Sequence, residues 1–183
     1  CASVWVAPRD PCEGMVEDPA KPAVRLALVS SLASSSGAKG MVLGQAQDIA
    51  AESAGRPLTL AEITIVANKT GALIRAAVEA PCILAGADRA VREALSGYGD
   101  CVGLAFQVHD DILDITGSSE RTGKKTQADA ALDKPTFPSI LGLDASRRAA
   151  RDLRDRAIAH LETVPGDTTV LAWLADYVIR RDH

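Results

Sequence analysis

A chain of 183 residues is long enough for one domain with a substantial core, and 47% of it is hydrophobic. Only 3% is aromatic, so Ala, Leu, Val and Ile must fill that core, a mix that favours helix packed on helix. A formal charge of −4 with no basic block argues against a nucleic-acid partner, and no apolar run approaches the roughly 20 residues that cross a bilayer.

Residues 1–22 lack clear periodicity and show no signal-peptide pattern, and the chain begins with Cys rather than Met. They are expected to be an irregular leader or the edge of a fragment of something longer, with part of a single domain from 23 to 183. From 23 to 53 the sequence is Ala-rich with helical spacing, and Gly37 and Gly40 mark a break or a close-packing point. Gly55-Arg56-Pro57 ends it. Thr59-Leu60-Ala61-Glu62 is the capping-box pattern that starts a helix, expected to run to about Glu79 before Pro81 interrupts. Ala87-Asp88 opens a third long helix, with Gly117 as its carboxy-terminal glycine cap. Residues 118–134 are polar and read as a loop long enough to carry function. A short element follows around 138–142. Asp144 is expected to cap a helix to about Thr163, and a last helix spans 169–180. No stretch alternates as a strand does, so the architecture is expected to be all-α, a helical bundle with short links. The cysteines at 1, 12, 82 and 101 show no CxxC spacing, which fits reduced thiols in a cytosolic protein, with Cys82 and Cys101 in the core.

The chemistry concentrates in the third helix. Asp110, Asp111 and Asp114 place three carboxylates within five residues. Residues on a helix turn by about 100° each, so Asp110 and Asp114 stack and Asp111 lies three before Asp114, all leaving one arc with Gln107 beside them. Acidic helix residues ordinarily face water. Here they follow the apolar run Gly103-Leu104-Ala105-Phe106, and like charges near a core call for cations among them. Carboxylate oxygens suit Mg²⁺. His109 lies around the helix and is expected to be a surface residue. Lys69-Thr70-Gly71 offers an ammonium and a hydroxyl to a diphosphate, although an exposed lysine is the default reading. Lys124 and Lys134 add two more cations downstream. Gln45 and Asp48 share a face as an ordinary polar pair or as partners of a metal-bound water. The arginines from 147 to 156, interleaved with Asp152 and Asp155, read as a solvated helix face.

These pieces resemble the trans-isoprenyl diphosphate synthases of the bacterial farnesyl and geranylgeranyl type. The matching motifs are Gly44-Gln45-Ala46-Gln47-Asp48, Lys69-Thr70-Gly71-Ala72-Leu73-Ile74, Gly103 to Gln107 followed by Asp110-Asp111-Ile112-Leu113-Asp114, Thr122-Gly123-Lys124, Lys134-Pro135-Thr136-Phe137-Pro138 and Leu141-Gly142-Leu143. They stand in family order from about Ala23 to the carboxy terminus. The resemblance implies the isoprenoid synthase bundle, truncated at its amino end, in a cytoplasmic homodimer. It implies transfer of an allylic group to isopentenyl diphosphate with release of pyrophosphate. Asp110, and less directly Asp111 and Asp114, would hold Mg²⁺ as the family's second aspartate-rich motif. Lys69, Thr70, Gln107, Lys124 and Lys134 would contact the allylic diphosphate, with Lys69 and Lys124 assisting its departure. Nothing before Ala23 supplies the family's first aspartate-rich motif or its amino-terminal basic residues, and Leu43 and Gln127 replace common glycines.

The intact protein is therefore expected to be a short-chain prenyltransferase, and this piece inactive alone. A non-catalytic partner subunit with the same fold is the rival reading. A class I terpene cyclase would carry an Asn/Ser/Glu triad where Asp110 to Asp114 stand, and a purely structural helical domain would make the motif series coincidence.

Overall fold

The computed structural model of the chain describes residues 21–53, 58–122 and 136–182. Seven helices span them: α1 (Pro22–Ser36), α2 (Met41–Ser53), α3 (Leu60–Ala85), α4 (Arg89–Thr122), α5 (Phe137–Leu141), α6 (Leu143–Leu161) and α7 (Thr169–Arg180). No strand occurs among the described residues, as an all-α bundle requires. The expected leader, residues 1–22, lies outside the described residues up to position 20.

Local signals set most helix ends. Pro22 opens α1 with φ already suited to a helix and no N–H to leave unpaired. The turn at 37–40 then folds α2 away, as the two glycines lead one to expect. An 18-residue window within the stretch Pro22–Ala50 reaches a mean hydropathy of 1.2, which by composition alone qualifies as a bilayer span. The turn divides that stretch into helices of 15 and 13 residues. At about 1.5 Å per residue, neither helix crosses a hydrocarbon layer of roughly 30 Å. Thr59 closes the predicted capping box: its hydroxyl accepts the Glu62 N–H at 3.3 Å, and the Glu62 carboxylate accepts the Thr59 N–H at 2.8 Å. Asp88 likewise accepts the Val91 N–H at 2.9 Å where α4 begins.

Three helix-end signals are read differently by the fold. Helix α3 does not end near Glu79 but runs through Pro81 to Ala85. The proline removes one hydrogen bond, whereas stopping there would unpack the buried Cys82 from its helical position. The stop falls instead on Gly86 at φ +62°, a left-handed cap that few residues but glycine adopt. Helix α4 passes Gly117 and continues to Thr122, since Gly117 does not take a positive φ. The first five residues of the expected loop are thus helical. Helix α6 is preceded by Gly142 at φ +84°, and Asp144 lies in its first turn rather than capping it.

Helix α4 is the axis of the bundle, packed between α3 and α6. Its contact with α3 is unusually close: a Cβ added to Gly103 would stand 2.5 Å from the Gly71 Cα. Gly99 meets Arg75 in the same way. The two helices therefore run antiparallel, with Lys69 and Thr70 about level with Leu104 to Phe106, just over one turn before Asp110. On the opposite side, Ala150, Leu153, Ala157 and Leu161 of α6 form a buried stripe against Tyr98, Cys101, Ala105 and Val108. Cys82 and Cys101 are free buried thiols, as expected.

Tyr98 is fully enclosed and donates its hydroxyl to the Leu171 carbonyl at 2.7 Å, tying α4 to α7. Burial pushes its pKa from the ordinary 10 up to about 12. The folded state therefore holds this proton more tightly than the unfolded chain. That contribution to stability is complete below pH 10 and is lost as pH rises through about 12. Urea titrations at pH 9 and at pH 12 should show Tyr98→Phe losing less stability across the interval than the parent chain. Equal losses would contradict the assignment.

Candidate active site

The three aspartates of α4 part company. Asp111 turns inward and is buried. Its Oδ1 accepts the Gln107 amide and its Oδ2 accepts the Phe137 backbone N–H, both at 2.9 Å. Burial raises its pKa, the two hydrogen bonds oppose that rise, and the neighbouring Asp114 and Asp110 charges add to it. The carboxylate thus pins the start of α5, where Thr136 and Ser139 form a second capping box. The expected shared arc narrows to Asp110 and Asp114, one turn apart on the outer side of the helix.

Asp110 is half-buried and ion-paired to Arg181, just past the end of α7. The Arg181 guanidinium also lies 4.1 Å above the Phe106 ring centroid. His109 is not a free surface residue: its Nε2 lies 2.9 Å from the Arg181 carbonyl, to which it donates. Phe106, His109 and Asp110 of α4 thus together grip one residue of the carboxy-terminal segment. No sequence signal points to Arg181, because a basic residue at a helix end ordinarily only complements the helix dipole. Asp114 remains exposed.

On α3, Lys69 is held by Asp48 of α2, Nζ to Oδ2 at 2.5 Å. The crossing beneath them is tight, since a Cβ on Gly44 would lie 2.6 Å from the Lys69 Cβ. Asp48 is therefore the partner of Lys69, while the adjacent Gln47 Oε1 is buried with no hydrogen-bond partner among the described residues. A buried amide oxygen with no partner marks a place where a donor is missing. Thr70 follows, half-buried. Lys124 and Lys134 lie outside the described residues.

Oxygen donors alone suit a hard divalent cation such as Mg²⁺. Asp110 and Asp114 can supply two of them, and water the rest. Among the described residues no group of three or more His, Cys, Asp or Glu side chains converges on one point. The residues present therefore fit an ion held by one or two carboxylates together with a phosphate ligand rather than an all-protein cage.

The family model described as Polyprenyl synthetase matches residues 25–169. The chain belongs to the polyprenyl synthetase family. It is 46% identical to the farnesyl diphosphate synthase of Escherichia coli over 162 residues, covering 86% of this chain and 54% of that protein. With the farnesyl diphosphate synthase of Haemophilus influenzae the identity is 43% over 160 residues, 86% and 53% of the two chains. An FPP/GFPP synthase from Zymomonas mobilis superposes with a TM-score of 0.73 at 39% identity, over 86% of this chain and 52% of that one. A Helicobacter pylori geranyltransferase solved with magnesium and isoprenyl diphosphate superposes with a TM-score of 0.70 at 30% identity, over 91% and 55%. The chain spans about half the length of the curated relatives it matches. Within this polyprenyl synthetase chain, the Lys69 and Asp110 motifs come from helices joined at the Gly71–Gly103 crossing, which brings two separate sequence motifs into one register.

Proposed function

We propose that the whole natural protein is a Mg²⁺-dependent prenyltransferase. It condenses an allylic diphosphate with isopentenyl diphosphate to give farnesyl or geranylgeranyl diphosphate, and works as a cytoplasmic homodimer. The observation that carries this reading is the Asp110 and Asp114 pair on one side of α4, backed by the buried Asp111, in a chain 46% identical to a farnesyl diphosphate synthase.

Asp110 and Asp114 would hold Mg²⁺, while Asp111, locked between Gln107 and Phe137, keeps that turn of α4 in place. The ion would supply positive charge to the diphosphate leaving group. The allylic C–O bond breaks with its electron pair going to the diphosphate. The isopentenyl double bond then adds to the allylic cation, and loss of a proton restores a double bond. Lys69 and Lys124 are assigned to the departing diphosphate, with Thr70, Gln107 and Lys134 on its other oxygens. Lys69 has three N–H donors, so it can keep Asp48 and still donate to a diphosphate oxygen.

Incubating the whole protein with geranyl diphosphate, labelled isopentenyl diphosphate and Mg²⁺ should give an elongated product, and EDTA should abolish it. No product from the whole protein would sink the reading and favour a non-catalytic partner subunit. The 183-residue chain alone should give none, and its turnover would refute that part.

A further inference from the structure

A cleft of about 480 Å³ opens between α4, α6 and the end of α7, around α4 from Asp110 and Asp114. The acidic chain turns a basic face here: Arg147, Arg151 and Arg154 of α6 line it together with Arg180 and Arg181. Asp182 is the one acidic residue in its lining.

The α6 arginines stand at i, i+4 and i+7, a single stripe on which like charges repel. Their partners relieve this unevenly. Arg154 is well paired with Asp176 at 2.6 Å. Arg147 reaches Asp144 only at 3.7 Å, and Arg180 reaches Asp176 only at 3.6 Å. Arg151 has no ion pair among the described residues. The carboxylates Asp144, Asp155 and Asp176 do not themselves line the cleft. Its floor is apolar, formed by Ile112 and Leu113 of α4 and Ile179 of α7.

A guanidinium fork matches phosphate oxygens in a bidentate way, and a volume of this size with an apolar floor suits a small molecule. We propose that this cleft is a second anion site, distinct from the Asp110 face, which binds an organic phosphate through Arg147 and Arg151 and rests its apolar body on Ile112, Leu113 and Ile179. Prenyl transfer is not needed for this site, and neither is metal: the arginines themselves supply the charge.

Independence from metal makes the test separable from the proposed reaction. Hexyl phosphate and inorganic phosphate are titrated into the full natural chain in EDTA by calorimetry. Hexyl phosphate should bind saturably, at least tenfold more tightly than inorganic phosphate. Its affinity should fall at least tenfold in Arg147→Gln/Arg151→Gln and stay unchanged in Lys69→Ala. Both arginines are exposed, so the double variant should fold, which circular dichroism checks; Arg151→Glu alone gives an independent second reading with the same expected loss. Undetectable binding at millimolar hexyl phosphate overturns the proposal, as does binding lost in Lys69→Ala but kept in the arginine variants. Equal affinity for the two phosphates overturns the role of the apolar floor.

Discussion

Asp110→Ala should lower the condensation rate of the whole enzyme by about a thousandfold, the upper range for removing one preorganised charge from a transition state. Two consequences follow from the one carboxylate. The carboxylate assigned to Mg²⁺ is lost, and Arg181 loses its anchor on α4. The variant should also bind Mg²⁺ more weakly in the presence of a diphosphate, which calorimetry reads without turnover. Far-UV circular dichroism should not change, because Asp110 is half-exposed and Arg181 keeps its contacts with Phe106 and His109. A rate within threefold of the parent enzyme would refute the assignment. Asp111 differs in kind: its carboxylate accepts the Phe137 N–H, so removing it strands a buried backbone donor. Its substitution should reduce stability as well as rate.

Gly103→Ala should destabilise the fold by about 3 kcal/mol, the cost of overpacking where neighbours cannot yield. The new methyl would stand 2.5 Å from the Gly71 Cα and 3.5 Å from the Gly71 N and C. These are backbone atoms, so no rotamer change relieves the clash and α3 must move off α4. Gly117→Ala is the internal contrast. Nothing lies within 4 Å of a Cβ there, and Gly117 sits inside a helix. The same substitution should stabilise by roughly 0.5–1 kcal/mol through reduced unfolded-state freedom. Urea midpoints of the two variants should therefore move in opposite directions. A Gly103→Ala midpoint equal to the parent's would mean that the crossing is looser than the geometry indicates.

These glycines show where sequence reasoning succeeds and where it stops. Thr59 with Glu62, Asp88 with Val91, and the span of α7 were legible because each depends on groups within four residues. Pro81 and Gly117 carry equally strong local stop signals, yet the fold passes both. Whether a stop is obeyed depends on what the next turn packs against, and that is not local. The Asp110 cluster was visible for its composition and spacing. Its division into an inward Asp111 and an outward Asp110 and Asp114 was not, since the Phe137 N–H that draws Asp111 inward lies 26 residues away. Arg181 is still more remote, 71 residues from the carboxylate it holds.

By itself, the amino-acid sequence determined the all-α class, the order of the helices, where its carboxylates and lysines cluster, and the motifs that resemble the polyprenyl synthetases. The first three follow from side-chain chemistry and from periods of a few residues, and the last from resemblance to a known family. Only the tertiary structure decided which aspartate supports α5 and which two face outward, that Lys69 is held by Asp48, and that a spread of arginines lines a cleft. Those outcomes depend on which backbone groups and opposite charges from distant segments arrive within 3 or 4 Å, and helix packing sets that arrival.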